Sequence, residues 1–329
     1  MMWQYAPFIS FLASLVILWG LVSRKLAGIA LDKPNARSLH VTPVPRTGGL
    51  GILAGIAAGW LVVFEAAAFS MLWIPLLLLA AVSFLDDRYG IQIGWRFVAH
   101  LIGMGGLLMA TWPHGLSWLF FPPVLLLLVW VINLYNFMDG SDGLAGGMAL
   151  FGFGFYGVAA WMVGDNFLAG LSWSIAAAAG AFLIFNFHPA RIFMGDAGSV
   201  PLGFLAGAIG WLGWQKGDWP AWFGAVLFSP FIVDATVTLV RRFLRGEKVW
   251  QAHREHYYQR MVRMGLGHRR TALYEYLLMM FVGTSALAAI GFDMKVWLAL
   301  FAILAAIYGV LMITVDRNWQ KFAGQNPDA

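Results

Sequence analysis

Long apolar runs dominate this chain and constrain its fold more than any other feature. A membrane helix needs roughly 20 apolar residues when it crosses perpendicular to the bilayer. The chain is 60% hydrophobic and only 11% charged, whereas soluble domains carry roughly 25% charged residues. These features predict an all-α polytopic membrane protein with a single integral membrane domain, residues 1–329. Eleven candidate spans lie near 3–23, 47–68, 70–85, 95–112, 117–135, 144–163, 166–186, 199–214, 219–240, 271–290 and 294–315.

Basic residues predict the orientation of these spans, because Lys and Arg are enriched in cytoplasmic loops. With the N-terminus outside, in the periplasm, every odd-numbered span is followed by a cytoplasmic segment, including the C-terminal tail. Those segments, with Arg96 at the edge of the fourth span, hold all but two of the 21 Lys and Arg, and the exceptions are Lys216 and Lys295. The first run is interpreted as an uncleaved helix, since Arg24 and Lys25 follow it and no cleavage signature is evident.

Composition also excludes several kinds of site and partner. The net charge of +5 fits a membrane protein with anionic lipid as its neighbour, and nucleic acid is not an expected partner. The chain has no Cys, so disulfides and thiolate metal sites are excluded.

Residues 133–147 form the most polar turn between two apolar runs. Asn133, Asn136, Asp139 and Asp142 recur every three residues, a spacing that would not keep them on one face of a continuous helix. Glycines in the same stretch indicate that the helix ends here. We therefore expect a helix to end near Asn136 and a tight loop to gather the polar groups around a hydrated cation and its phosphates.

The loop at 32–49 is rich in residue types that bind phosphate. Lys33, Arg37, His40 and Arg46 could contact an anionic substrate, or they could be positive-inside charge beside lipid.

Two further loops carry carboxylates. Asp86 and Asp87 are adjacent, so they either share a cation or a proton-accepting task, or form a solvated helix end. Asp196 lies between Gly195 and Gly198, where the backbone can approach a ligand.

Span 9 and the loop after it contribute three more candidates. Asp234 lies within an apolar run and is either a functional carboxylate or a buried hydrogen-bond partner. His253 and His256 are three residues apart in a strongly basic segment, where they could bind a metal or contact phosphate.

Five carboxylates, in three loops, are predicted to lie on the same cytoplasmic side. Oxygen ligands with Asn alongside favour Mg²⁺, with Mn²⁺ as the alternative. The surrounding basic loops would hold phosphates. The five carboxylates are Asp86, Asp87, Asp139, Asp142 and Asp196. The residues alone therefore point to a membrane enzyme that acts on a phosphorylated, nucleotide-linked substrate.

Taken together, the motifs resemble the polyprenyl-phosphate N-acetylhexosamine-1-phosphate transferase superfamily, glycosyltransferase family 4. The resemblance spans roughly residues 30–270. It rests on residues 33–40 and 45–49, on Asp86-Asp87, on 133–143 and on 193–199. The segment His253-Arg-Glu-His-Tyr-Tyr-Gln-Arg260 departs from the His-x-His-His form of several members. It is similar instead to the version in O-antigen-initiating enzymes that handle deoxy-N-acetylhexosamines.

The resemblance implies transfer of a sugar 1-phosphate from a UDP-sugar to undecaprenyl phosphate, with release of UMP. With the distribution of basic residues, it predicts an active site on the cytoplasmic face of the bacterial inner membrane; a homodimer is one possible arrangement. Asp196 would be the principal Mg²⁺ ligand and Asn136 a second. The other implied roles fall on catalytic residues Asp86, Asp87, Asp139, Asp142, His253 and His256, and on substrate-binding residues Lys33, Arg37, His40, Arg46, Asn133, Asn186, Phe193 and Arg254.

Three alternatives compete with this interpretation. A secondary transporter would also have many spans, but no internal repeat is evident. A membrane scaffold has no need for five carboxylates on one side. Within the enzyme class, the alternative is the transferase that acts on UDP-MurNAc-pentapeptide, whose longer His motif is absent here.

Overall fold

The computed structural model describes residues 3–23, 31–32, 43–63, 66–251 and 253–326. Nearly all of this is helical. The helices are α1 (Ala6–Ser23), α2 (Gly48–Trp60), α3 (Ala66–Tyr89), α4 (Ile93–Thr111), α5 (Phe121–Phe137), α6 (Leu144–Met162), α7 (Asn166–Asn186), α8 (Asp196–Lys216), α9 (Trp222–Leu227), α10 (Ser229–Leu244), α11 (Tyr257–Met261), α12 (Gly267–Ala289) and α13 (Met294–Gln325). One two-stranded antiparallel ladder pairs β1 (Leu31–Asp32) with β2 (Val44–Pro45).

The helices follow the apolar runs of the sequence. Eight helical segments among the described residues are long and apolar enough to cross a membrane, so the chain is a polytopic all-α membrane protein. The total of eleven spans and the orientation of the termini stay predictions.

The ninth run, expected as one span over 219–240, is divided into α9 and α10 at Phe228. Pro230 explains the division, because proline lacks a backbone N–H and fits the first turn of a helix far better than its interior.

Helix α8 lies at the centre of the bundle and packs against α2, α3, α4, α5, α6 and α9. Small residues let neighbouring helices approach closely elsewhere, as membrane helices require when lipid supplies no hydrophobic drive between them. A Cβ added at Gly55 of α2 would lie 2.6 Å from the Cβ of Ser14 in α1. The hydroxyl of Ser10 donates to the carbonyl of Ser174 in α7 at 2.6 Å. The ends of α3, α5 and α7 and the start of α8 meet at one end of this bundle.

Candidate active site

The C-terminal end of α3 caps the N-terminus of α8. Asp87 accepts hydrogen bonds from the backbone N–H groups of Asp196 at 3.2 Å and Ala197 at 3.0 Å. These are free donors at the positive end of the helix dipole, where a carboxylate is stabilising. Two of the three predicted acidic loops are thereby joined directly.

Arg96, at the start of α4, lies between two carboxylates. Its Nη1 is 2.8 Å from Asp86 Oδ2, and its Nη2 is 2.8 Å from Asp196 Oδ2. The forked guanidinium suits this bridging geometry, which an ammonium group would not reproduce. Sequence analysis missed Arg96, since it counted only as a positive charge at the edge of an apolar run.

Asn136, in the last turn of α5, completes this cluster. With its amide oriented to satisfy its neighbours, its oxygen accepts from Arg96 Nη2 at 3.2 Å and its nitrogen donates to Asp196 Oδ1 at 3.2 Å. Ser199 of α8 lies 2.5 Å from the same amide. The helix ends close to the predicted position, and its terminal Asn meets the later loop.

The donor chemistry around Asp196 fits a hard divalent cation. The groups that meet there are the carboxylate of Asp196, the amide of Asn136 and the hydroxyl of Ser199. Over the described part of the chain, no three His, Cys, Asp or Glu side chains form a ready metal cluster. Mg²⁺ needs no such cluster, because it commonly uses one or two carboxylates and completes its shell with water and substrate phosphate.

The segment before α2 docks on the segment before α8. Gly48 N donates to Phe193 O at 2.9 Å, and Phe193 N donates to Pro45 O at 2.7 Å. A Cβ added at Gly49 would lie 2.3 Å from the backbone nitrogen of Gly198. No side chain fits between these backbones, which explains the glycines in both motifs.

This docking brings Arg46 toward Asp86, Asp87 and Asp196, which together are called the acidic cluster. Asp87 lies beyond the apolar part of α3, and burial raises the pKa of its carboxyl. The N–H groups of Ala197 and Asp196 and the charge of Arg46 act in the opposite direction. The ion pairs of Arg96 and the charge of Arg46 therefore offset part of the repulsion that gathering Asp86, Asp87 and Asp196 creates.

A second cluster forms around Asp142 in the turn between α5 and α6. Its Oδ2 contacts Nδ1 of His188 at 2.7 Å and accepts from the N–H of Ala190 at 3.1 Å. Nδ1 of His268, at the start of α12, lies 3.9 Å from the other carboxylate oxygen. The two imidazole rings stack with their centroids 5.4 Å apart. Neither histidine was singled out from the sequence, although His188 is two residues from Asn186, which was.

Two predicted amides make contacts within the protein. Asn186 accepts from Gly143 N and donates to Ile192 O, both at 2.9 Å, so it joins two site loops. Asn133 donates to Val129 O one turn earlier on its own helix, at 2.8 Å. Phe193 is half-buried in the docked segment described above.

Asp234 of α10 anchors residues 253–260, called the histidine segment. It accepts from the backbone N–H groups of Tyr257 at 2.9 Å and Tyr258 at 3.0 Å, and it contacts Nδ1 of His256 at 3.2 Å. Of the two interpretations left open by the sequence, this geometry is that of a buried hydrogen-bond partner, and it fixes the orientation of His256.

The ring of His253 lies close to that of His256, with centroids 4.7 Å apart and the ring planes tilted by 37°. Burial lowers the pKa of His253 to about 3, and the neighbouring His256 and Arg242 act in the same direction. At neutral pH its imidazole is therefore uncharged and can accept or donate a hydrogen bond. Arg254, the next residue, is half-buried, and its carbonyl accepts from Arg263.

Helix α11 connects this segment to the end of α5. The hydroxyl of Tyr258 donates to Phe137 O at 3.3 Å, next to the half-buried Asp139. A Cβ added at Gly140 would collide with the Tyr258 hydroxyl. The structure thus brings the predicted aspartates, Asn136 and the histidine segment to one end of the bundle. Lys33, Arg37 and His40 lie outside the described residues.

Comparison with known proteins gives matches over most of the chain. Residues 69–213 match the model of glycosyl transferase family 4. The probable undecaprenyl-phosphate N-acetylglucosaminyl 1-phosphate transferase of Bacillus subtilis is 31% identical over 324 residues, covering 91% of this chain and 88% of the relative. The undecaprenyl-phosphate alpha-N-acetylglucosaminyl 1-phosphate transferase of Yersinia pestis is 29% identical, covering 94% and 90%.

A third relative matches over a shorter region. The phospho-N-acetylmuramoyl-pentapeptide-transferase of Geobacillus kaustophilus is 39% identical over 133 residues, which is 40% of this chain and 38% of the relative.

Proposed function

The chain belongs to the polyprenyl-phosphate N-acetylhexosamine-1-phosphate transferase family, and from this premise we propose that it transfers an N-acetylhexosamine 1-phosphate, or the deoxy form of that sugar, from a UDP-sugar to undecaprenyl phosphate. UMP leaves, and the lipid diphosphate-linked sugar starts an O-antigen or another surface polysaccharide. The observation that carries this proposal is the meeting of Asp86, Asp87, Asn136 and Asp196 around Arg96.

Charge neutralisation is the main task of this site. The second pKa of a phosphate monoester is about 6, so the acceptor is mostly a dianion at neutral pH. Removing a proton from it therefore gains little, whereas bringing it to a diphosphate meets strong repulsion. Preorganised positive charge reduces this repulsion between the acceptor phosphate and the diphosphate.

Each cluster supports one part of this reaction. Arg96 and Arg46 place positive charge beside the carboxylates. Asp196 and Asn136 would hold Mg²⁺, or Mn²⁺, which when bound neutralises phosphate oxygens. His253 and His256 would contact the diphosphate, and Asp139 with Asp142 would form the wall that positions the nucleotide.

The geometry favours direct attack of the acceptor phosphate over a covalent aspartyl intermediate. Asp87 is committed to two N–H groups of α8 and Asp86 to Arg96. Both carboxylates therefore act by positioning and by shaping the charge of the site. The site would face the cytoplasm in the inner membrane, as the distribution of basic residues indicates.

A panel of UDP-sugars tests the reaction. Full-length protein is incubated with undecaprenyl phosphate and each of UDP-GlcNAc, UDP-QuiNAc, UDP-FucNAc and UDP-MurNAc-pentapeptide, and UMP is measured. We expect release with at least one of the first three. Release with the pentapeptide substrate alone would assign the peptidoglycan reaction instead, and no release with any donor would contradict the proposal.

The metal assignment has a separate test. Asp196→Asn should abolish Mg²⁺-dependent UMP release while the protein stays folded, because the amide keeps the shape but loses the charge of the ligand. Direct Mn²⁺ binding, measured by electron paramagnetic resonance, should weaken in parallel. Near-normal turnover and Mn²⁺ binding in this variant would contradict the assignment.

A further inference from the structure

Two adjoining cavities lie on the side of α11 that faces α13. The first, called the apolar groove, has a volume of about 590 Å³ and is lined by α10, α12 and α13, including Leu278, Phe281, Ile307 and Met312. The second, called the arginine pocket, has a volume of about 480 Å³. Its lining includes Arg241, Arg245, Arg260, Arg263, Glu255, Asp316 and Trp319.

Tyr257 connects the apolar groove with residues of the arginine pocket. It lines the apolar groove, and its hydroxyl donates to Asp316 Oδ2 in the arginine pocket at 3.3 Å. The guanidinium groups of Arg241 and Arg260 lie 5.5 and 5.3 Å from the centre of its ring. A molecule with an apolar chain and a charged end could therefore occupy both cavities at once.

The arginine pocket has an excess of positive charge. Four guanidinium groups face two carboxylates, Glu255 and Asp316, so two positive charges remain. Glu247 lies next to the pocket and pairs with both Arg242 and Arg245, and because Arg242 adds one positive charge for the negative charge of Glu247, the excess is unchanged. Nε of Arg260 is buried without a hydrogen-bond partner among the described residues. Arginine forks in such an arrangement suit the oxygens of a phosphate group.

The apolar groove does not suit the same group. Its lining is almost entirely apolar or aromatic, and its carboxyl groups, Asp234 and Glu275, supply no positive charge. A phosphate would lose its hydration there without gaining a counter-charge, and it is therefore favoured at the arginine end. The two cavities together therefore specify the orientation of an anionic amphiphile.

The arginine pocket lies at the expected level of lipid headgroups. Helix α13 has 32 residues, a length of roughly 48 Å at 1.5 Å per residue, whereas the hydrocarbon core is roughly 30 Å thick. Asp316 and Trp319 belong to the last ten residues of that helix. Trp is enriched at the boundary between lipid and water.

We propose that this pair of cavities binds a diacyl phospholipid with a net negative headgroup, its phosphate in the arginine pocket and an acyl chain in the apolar groove. A zwitterionic headgroup would bring an ammonium group to the arginines and is disfavoured. The lining of the two cavities does not include Asp86, Asp87, Asn136 or Asp196, so the site is separate from the acidic cluster. The inference goes beyond the proposed function and does not depend on it.

Native mass spectrometry of the full-length protein in a neutral detergent tests the proposal. Phosphatidylglycerol and phosphatidylcholine with the same acyl chains are titrated against the wild type and against the double variant Arg245→Gln/Arg263→Gln. The wild type should retain phosphatidylglycerol preferentially. The double variant should lose roughly 25-fold in phosphatidylglycerol affinity, since each basic side chain near an anionic lipid contributes about fivefold.

Two further variants separate the contributions. Arg269→Gln/Arg270→Gln removes the same charge from exposed positions on α12, outside both cavities, and should bind like the wild type. Met312→Trp fills the apolar groove and should weaken phosphatidylglycerol binding while all arginines remain. A thermal melt shows whether each variant is folded.

Competition with glycerol 3-phosphate distinguishes the source of the phosphate. Millimolar glycerol 3-phosphate should not displace phosphatidylglycerol. Displacement, together with wild-type binding by Met312→Trp, would assign a soluble-phosphate site and overturn the lipid proposal. Equal binding by the two arginine double variants would overturn the assignment of the pocket.

Discussion

Arg96 shows how one side chain can hold separate parts of the chain in one site. It pairs with Asp86, ten residues earlier, and with Asp196, one hundred residues later. No local pattern connects positions so far apart. A single arginine at the edge of an apolar run has the ordinary appearance of a topology signal.

Replacing Arg96 should affect the reaction more than the fold. Arg96→Gln leaves Asp86 and Asp196 without their shared counter-charge, and we expect UMP release to fall roughly hundredfold, a typical effect of removing one preorganised electrostatic group. Arg96→Lys keeps the charge but not the fork, so it should retain an intermediate rate. Equal rates for the wild type and Arg96→Gln would show that this bridge has no part in turnover.

The buried imidazole of His253 should make stability depend on pH. Its pKa is lowered to about 3, first by burial and then by the neighbouring His256 and Arg242, while Glu247 and Asp234 act in the opposite direction. The unfolded chain takes up a proton below about pH 6.5 and the folded chain does not until about pH 3, so stability falls as the pH decreases through that interval.

His253→Gln should remove part of this dependence. Thermal melting in detergent at about pH 7 and about pH 4.5 should show a smaller loss for the variant than for the wild type. His114→Gln, at an exposed position in the loop after α4, is the matched control. If the melting temperature decreased equally for His253→Gln and the wild type between the two pH values, His253 would not be the source of the pH dependence.

At the scale of single residues, much of the cluster was predictable. The structure brings together Asp86, Asp87, Asn136 and Asp196, which the sequence grouped by residue type and by loop. His188 and His268 were not predicted as partners of Asp142, since one follows α7 and the other begins α12. Their stacking depends on how those helices pack, and no spacing in the sequence records it.

At the scale of elements, the break between α9 and α10 places Asp234. The sequence predicted one continuous span, because Ser229 and Pro230 are isolated within a long apolar run. Proline lies in the first turn of α10, and the new helix axis presents the Asp234 carboxylate to the first N–H groups of α11. The short helix α11 depends on this anchor, since five residues do not form a stable helix alone.

Asp234→Asn should therefore loosen the histidine segment. An amide has one oxygen for two backbone donors that now use both carboxylate oxygens, and a lost buried hydrogen bond costs about 1–3 kcal/mol. Hydrogen exchange of residues 253–261 should accelerate, and UMP release should fall. Thr238→Val removes a different contact of the same carboxylate and serves as the comparison. Unchanged exchange in Asp234→Asn would show that the anchor is dispensable.

At the scale of the whole molecule, the elements themselves were well predicted. Most apolar runs coincide with helices because hydrocarbon requires every backbone polar group to be satisfied within the chain. Packing partners were not predicted, since lipid-facing and core-facing helices have similar composition. Helices α8 and α13 are both apolar, yet one is the buried centre and the other is mostly exposed.

The absence of Cys allows a direct test of orientation. Single cysteines introduced as Gly115→Cys and Lys248→Cys occupy exposed loop positions on opposite sides of the predicted topology. In intact cells a membrane-impermeant maleimide should label Gly115→Cys and leave Lys248→Cys unlabelled until the membrane is permeabilised. The reverse pattern would invert the predicted topology and move the site to the other face.

The contact between α11 and the last helix has a consequence for how the protein matures during synthesis. Arg260 and Tyr257 are bound to Asp316, so the histidine segment gains this support only after α13 has left the ribosome. The acidic cluster, built from α3, α4, α5 and α8, can assemble earlier. A chain still being translated would thus hold its carboxylates in place before its histidines, and the complete site would form as one of the final events of membrane insertion.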